Sequence, residues 1–261
     1  MDATTIEDYQ DHLNPGFTKR RRQDTRFILV HSTECGLESA LRTLSRGKVR
    51  HGRRVTLGGH AHYLLGRQGT IYRILDPKYR ADHAGISMWR GLENLSDHSL
   101  GIELEGFHDV PFTTAQYRSL GWLLRVLRKR FGIASRDVLE HYRVAYTPPN
   151  RFFSRNWRGR KRDPGRGNFD RRRAGLRDEY ALDPDVVAGR VGMSPHPGRR
   201  RGPLAGVVTR DRSAWSIAGK RYRDARTLYC LPGGRTRRGN EIRDWSRLPS
   251  GTRVFLSAAP H

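Results

Sequence analysis

Three polar residues of this sequence could together hold a metal ion. His31 ends an apolar run, His141 follows Val138-Leu139-Glu140, and Asp163 stands in an Arg-Lys-Arg-Asp-Pro-Gly segment. Two imidazoles and one carboxylate with an open fourth position form the ligand set of a catalytic zinc ion, which activates water. The chain has eleven histidines, however, and a single histidine is more often a surface or core residue than a ligand. Spacing alone therefore leaves both interpretations open.

The run that precedes His31 predicts the first buried strand. Residues 26–31 (RFILVH) are apolar and rich in β-forming types, and the polar residue stands at the end of the run. Residues 37–46 have the spacing of a helix. Two short runs, 61–65 and 70–75, are joined by a glycine-containing turn, which predicts a hairpin.

A second predicted strand carries acidic side chains. Residues 99–106 alternate apolar and acidic types, which on a strand places Glu103 and Glu105 on one face. Thr113 or Thr114 is then expected to cap a long amphipathic helix whose last turn is basic.

Five segments that occur in a fixed order carry a family resemblance. They are FILVHST, AHYLL before a glycine turn, HAGIS, SLGIELEG and RKRDPG. Together they resemble the zinc-dependent N-acetylmuramoyl-L-alanine amidases of the second type, which include muropeptide-recycling amidases, phage lysozyme-type amidases and peptidoglycan recognition proteins. The resemblance covers roughly residues 25 to 170. It implies an α/β fold, in which helices flank a central mixed β-sheet with the zinc at one edge.

The resemblance also implies residue roles. His31, His141 and Asp163 match the zinc ligands, Glu103 matches the acidic residue that transfers the proton, and Lys161 matches the lysine beside the metal. Zinc lowers the pKa of water to about 7, so that Glu103 would take the proton and Lys161 would stabilise the oxyanion. The implied activity is that of a peptidoglycan hydrolase, which cleaves the amide bond between N-acetylmuramic acid and L-alanine of the stem peptide.

Three further residues are weaker candidates for contact with substrate. His62 and His83 stand inside the matching segments, where each either lines the substrate cleft or makes structural hydrogen bonds. Trp157, Phe152 and Phe153 belong to a segment that is inserted relative to the amidase family. If the resemblance holds, this segment borders the substrate cleft. A surface loop packed by its own aromatic residues is the alternative.

The chain is strongly basic. Lys and Arg number 50 against 26 Asp and Glu, a net charge of +24, which attracts polyanions. The matching segments favour an anionic cell wall as the partner, through peptide carboxylates, teichoic-type polymers or lipopolysaccharide phosphates. Two alternatives stay open: a peptidoglycan- or muropeptide-binding module that does not cut, and a polyanion or nucleic-acid binding protein with structural histidines.

Composition excludes several classes of protein. With 36% hydrophobic residues in 261, the chain can build a core, and no apolar run approaches the roughly 20 residues of a membrane span. The first residues lack the apolar stretch of a secretory signal, so that cytoplasmic recycling and phage-type release are both compatible with the sequence. The two cysteines form no C-x-x-C pair, which excludes a disulfide framework or a four-cysteine zinc site.

The sequence predicts four parts. They are an N-terminal extension (1–24), the zinc amidase domain (25–180), a basic Gly/Pro linker (181–203) and a small β-rich C-terminal unit (204–261). In the last part, VVTR, SAWSIA, TLYCLP and TRVFL predict short strands.

Overall fold

A computed structural model describes residues 6–150, 154–192, 204–224, 227–232 and 236–256. The chain divides into two compact units, Met1–Ser194 and Pro195–His261. The predicted linker at 181–203 therefore overlaps the first of these units along the chain. Residues 181–192 belong to the first unit, because Asp185 there is buried among charged and backbone partners. The rest of that linker lies outside the described residues.

The first unit is built around one mixed sheet. Its strands and helices, in chain order, are β1 (Ile6–Asp8), β2 (Phe27–Ser32), α1 (Leu37–Arg46), β3 (Val49–Arg50), β4 (Arg53–Arg54), β5 (Tyr63–Leu65), β6 (Ile71–Arg73), β7 (Met88–Trp89), β8 (Leu92–Glu93), β9 (Ser99–Leu104), α2 (Thr114–Phe131), β10 (Val138–Glu140), α3 (His141–Val144), β11 (Tyr146–Thr147), β12 (Trp157–Arg158) and α4 (Pro184–Val187). The sheet has the order β1-β6-β5-β9-β2-β10. Among the described strands of this six-stranded sheet, β5 and β6 form the only antiparallel pair, and the other neighbours run parallel. The expected α/β fold with a central mixed sheet is confirmed.

Strand β2 lies inside the sheet between β9 and β10 and is buried along its whole length. Its apolar run is continuous because both faces of the sheet are covered. Ile28 and Val30 belong to the core beneath α2, while Phe27 and Leu29 belong to a separate cluster on the other face. His31 follows Leu29 on that second face by the alternation of side chains along a strand.

Helix α2 covers the first face of the sheet. Thr113 caps it: its hydroxyl accepts the N–H of Gln116, and the Gln116 side chain accepts the N–H of Thr113. The helix ends at Gly132, whose φ of 67° is the left-handed conformation that glycine adopts without strain. Neither α2 nor any other helix in the described parts of the chain has the length and apolar character needed to cross a membrane.

The second unit contains a four-stranded antiparallel sheet within its described residues. Its elements are β13 (Leu204–Val207), α5 (Ala214–Ala218), β14 (Thr227–Cys230), β15 (Thr236–Arg238) and β16 (Arg253–Leu256). The prediction of a strand for SAWSIA is wrong. Ser213 caps a helical turn by accepting the N–H of Ser216, and Ala214 and Ala218, four residues apart, bury one side of that turn.

Candidate metal centre and catalytic site

His31, His141 and Asp163 meet beside the carboxyl ends of two parallel strands. His31 belongs to the end of β2, and His141 follows directly after β10, the neighbour of β2 in the sheet. His31 Nδ1 lies 3.0 Å from His141 Nδ1 and 3.2 Å from Asp163 Oδ2, and His141 Nδ1 lies 2.8 Å from that oxygen. The N–H of Tyr142 donates to the carbonyl of Asp163, which ties the two ligand segments together. The three side chains could hold a metal ion.

A backbone carbonyl orients His141. Its Nε2–H donates to the carbonyl of Ala84 at 3.0 Å. A neutral imidazole has one N–H, so Nδ1 of His141 is left with a lone pair. That lone pair points toward His31 and Asp163.

A chain of three hydrogen bonds orients His31 in the same sense. The Ser99 hydroxyl donates to the carbonyl of Leu95 and therefore accepts from His83 Nε2 at 3.3 Å. With its proton on Nε2, His83 accepts at Nδ1 from His31 Nε2–H, 3.0 Å away. Nδ1 of His31 therefore also carries a lone pair that points into the cluster.

The donor set fits a cation. Two lone pairs and a carboxylate oxygen converge within 3.2 Å, an arrangement that is repulsive unless positive charge stands among them. Burial lowers the pKa of His31 to about 4, which keeps its imidazole neutral at physiological pH.

Glycine at position 101 makes room for this arrangement. A Cβ on Gly101 would stand 2.5 Å from Cγ of His83, so only a residue without a side chain lets that ring lie against β9. The N–H of Gly101 donates to Nδ1 of His62, whose Nε2–H donates to the carbonyl of Tyr79. His62 is fully buried, and these bonds hold its ring inside the fold, while its contact with substrate stays a prediction.

Glu103 lies beside His31. The two residues are register partners on β9 and β2, so their side chains point to the same face of the sheet. Burial, with the negative charge of Asp163, raises the pKa of Glu103 to about 8, although Lys161 acts in the opposite direction. Its Oε2 atom is buried and has no hydrogen-bond partner among the residues that the structure describes. Such an unpaired, perturbed carboxyl group is typical of a site that handles protons.

Residues 21–166, more than half of the chain, match the N-acetylmuramoyl-L-alanine amidase family. This chain belongs to that family. It is 43% identical over 77 residues to the 1,6-anhydro-N-acetylmuramyl-L-alanine amidase AmpD of Haemophilus influenzae, across 30% of this chain and 42% of that protein. It is 29% identical to the N-acetylmuramoyl-L-alanine amidase AmiD of Escherichia coli K12, across 45% of each. The chain therefore spans less than half of these two curated relatives.

The fold agrees with the amidase family. A crystal structure of a selenomethionine derivative of AmpD superposes with a TM-score of 0.51 and 25% sequence identity, over 67% of this chain and 94% of that one.

Lys161, His83 and Trp157 take different places in this amidase fold. Lys161 is exposed, and its charge acts on both Glu103 and His31. His83 is buried against His31, the structural alternative expected for it. Trp157 pairs in β12 with Thr147, its ring packs on Gly192, and its contact with substrate stays a prediction. Phe152 and Phe153 lie outside the described residues.

Two features of the structure involve contacts that the sequence analysis does not predict. Glu34, with a left-handed φ of 56°, accepts hydrogen bonds from Ser32 and from both the N–H and the ring of His108. A positive φ outside glycine often marks a functional loop, but nothing in the sequence signals this one. Arg158 is buried against Asp183 and Asp185. Partners this far along the chain are visible only in the folded protein.

Proposed function

We propose that this protein is a zinc-dependent hydrolase that cleaves the amide bond between N-acetylmuramic acid and L-alanine of the peptidoglycan stem peptide. The observation that carries the proposal is the convergence of His31, His141 and Asp163 beside Glu103 on one face of the sheet. The names of AmpD and AmiD support the choice of bond, since both are amidases acting at muramyl-L-alanine. The muropeptide is accordingly the proposed partner.

The ligand types favour zinc among divalent ions. Zinc accepts imidazole nitrogen and carboxylate oxygen at about 2.0–2.2 Å, so that ligand atoms of a tetrahedral site stand roughly 3.3 Å apart. The observed separations of 2.8–3.2 Å are close to that value. When bound, zinc supplies Lewis acidity, which makes water a nucleophile near neutral pH. His31, His141 and Asp163 would hold it.

Glu103 is the proposed proton carrier. Its carboxylate takes a proton from the attacking water at Oε2 and returns it to the nitrogen of the leaving amine. A pKa raised to about 8 suits this double role, because the group can both accept and release a proton near neutral pH. The buried and unpaired Oε2 is available for both transfers.

Lys161 is the proposed electrostatic stabiliser. It stands two residues before Asp163, and its positive charge lowers the pKa of Glu103, so the ammonium group is close enough to influence the site. Negative charge develops on the carbonyl oxygen of the amide during attack, and a fixed positive charge there lowers the barrier.

Digestion of purified sacculi and of a soluble anhydro-muropeptide tests the proposal. Mass spectrometry of the products should show free stem peptides that begin with L-alanine, and chelator treatment should abolish their release. Glu103→Gln should retain the metal and lose about 10²–10⁴-fold in turnover. Glu105→Gln is the matched control, since the oxygens of Glu105 already accept backbone N–H groups of Leu37 and Arg67.

The outcomes separate this proposal from a binding module. A metal-loaded protein that binds muropeptide and returns it intact would establish the non-catalytic alternative. Full cleavage by Glu103→Gln would remove the proton-transfer role from that residue.

A further inference from the structure

A cavity of about 350 Å³ lies between α2 and the turn at 172–175. Arginines make up much of its wall: Arg118, Arg125 and Arg128 of α2, and Arg172 and Arg173 of the turn. The turn is fixed to the helix through Tyr117, whose hydroxyl accepts the N–H of Asp170 at 2.8 Å. The cavity is therefore built on tertiary contacts and does not depend on one mobile side chain.

The charge of this cavity is largely uncompensated. Arg118, Arg125 and Arg172 are exposed, and none of them forms an ion pair with an acidic residue in the described part of the chain. Asp170 is next to the turn, where its Oδ1 accepts the backbone N–H groups of Arg172 and Arg173, and its single negative charge stands against the five guanidinium groups of the wall. Guanidinium groups that outnumber the neighbouring carboxylates repel one another, so the site favours a multivalent anion.

The cavity and the metal centre lie on opposite faces of the sheet. Helix α2 packs on the face of Val30 and Ile102, whereas His31 and Glu103, the next residue on each strand, point to the other face. A ligand in the cavity therefore does not compete with substrate at the metal centre.

We propose that this arginine cavity binds the phosphate groups of a phosphodiester-linked polyol or sugar polymer. A planar guanidinium group can donate two parallel hydrogen bonds to the oxygens of a phosphate. The cavity places such groups from α2 and from the 172–175 turn around one space. Attachment of a polymer on this face would keep the metal centre near the wall to which the polymer is joined. Binding at this cavity needs no turnover, so it can be tested independently of the proposed amidase activity.

The shape of the site argues against nucleic acid. The arginines surround a concavity, whereas a duplex is read by elements that enter its grooves. Single strands need open aromatic faces on which bases stack. Tyr117 is buried, with the guanidinium of Arg173 4.2 Å from its ring centre. Trp122, the other aromatic residue of the lining, is half-buried and packs against the core, so no fully open ring face is presented. A flexible polyol phosphate chain needs neither feature.

Binding of a poly(glycerol phosphate) chain to the full-length protein tests the proposal. Titrations at several salt concentrations compare the wild type with the double variant Arg118→Gln/Arg172→Gln. The matched control is Arg20→Gln/Arg42→Gln, which removes the same charge from exposed positions outside the cavity. The cavity variant should raise Kd by about tenfold or more and lower the salt slope by about 1 for each arginine removed, while the control changes Kd by less than about twofold.

Two further comparisons complete the test. Arg118→Lys/Arg172→Lys keeps the positive charge but loses the bidentate hydrogen bonding of guanidinium. Its affinity should therefore fall between those of the wild type and the glutamine variant. Circular dichroism melts confirm that each variant is folded. Equal weakening by the control, no binding by the wild type, or equal affinity for a polygalacturonate of matched charge would overturn the proposal. Tighter binding of duplex DNA, lost in the cavity variant, would assign the site to nucleic acid instead.

Discussion

His31 and Glu103 stand side by side because β2 and β9 pair in parallel with these two residues in register. One residue earlier, Val30 and Ile102 are also partners, and both point into the core beneath α2. The alternation of side chains along two strands thus separates the proposed chemistry from the apolar core by a single residue. Any change that disturbs this register affects stability and site geometry together.

The three-ligand cluster predicts which residues retain the metal. His31→Ala or Asp163→Ala leaves two of the three protein ligands, so the purified variant should contain little or no zinc after dialysis. His12→Ala, which changes an exposed histidine stacked on Tyr9, should contain as much zinc as the wild type. Elemental analysis measures both. Stoichiometric zinc in Asp163→Ala would place the metal elsewhere.

Gly101 predicts an indirect effect on the metal. In Gly101→Ala the new methyl group would meet the ring of His83, which orients His31 through Nε2. Loss of such an orienting partner costs about 10–100-fold in metal affinity. Gly36→Ala is the matched control, since a Cβ there meets nothing within 4 Å. Competition with a chromogenic chelator gives both affinities, and equal values for the two variants would refute the role of His83.

The raised pKa of Glu103 predicts how the stability of the metal-free protein depends on pH. Between its ordinary value of 4.5 and about 8, the folded state holds a proton that the unfolded chain has released. The free energy of unfolding therefore falls as pH rises through this window and levels off above it. Glu103→Gln has no proton to release, so its advantage over the wild type should grow across the same window. Urea denaturation at several pH values measures the difference, and parallel curves would mean that Glu103 ionises freely when folded.

The buried Arg158–Asp185 pair predicts a large loss of stability. Asp185 is fully buried and accepts from Arg158, Arg190 and the N–H groups of Arg90 and Gly91. Asp185→Ala should therefore lower the free energy of unfolding by about 3–5 kcal/mol, because those buried donors lose their acceptor.

The matched control for this pair is Asp178→Ala. It changes an exposed carboxylate and should alter stability by no more than about 0.5 kcal/mol. Chemical denaturation compares the two variants. Similar values for both would show that the buried pair contributes little.

Local sequence patterns are sufficient to predict much of the sheet and its helices. The apolar run before His31 marks β2, and helical spacing marks α1 with the bounds that the structure shows. The sequence places the cap of α2 at Thr113 or Thr114, and the structure selects Thr113, whose bonds with Gln116 are reciprocal. The sequence also determined which residue types could form a metal site. These features depend on neighbours close in the chain.

Other features were decided only by the tertiary structure. The convergence of His31, His141 and Asp163, the pairing of Glu103 with His31 and the contact of His83 with Gly101 join residues that are distant in sequence. SAWSIA became a helical turn because a serine cap and two buried alanines outweighed its strand-like composition. The arginine cavity likewise exists only because the 172–175 turn packs on α2. Sequence spacing fixes neither the direction of a side chain nor the water it loses on folding, and both determine its chemistry.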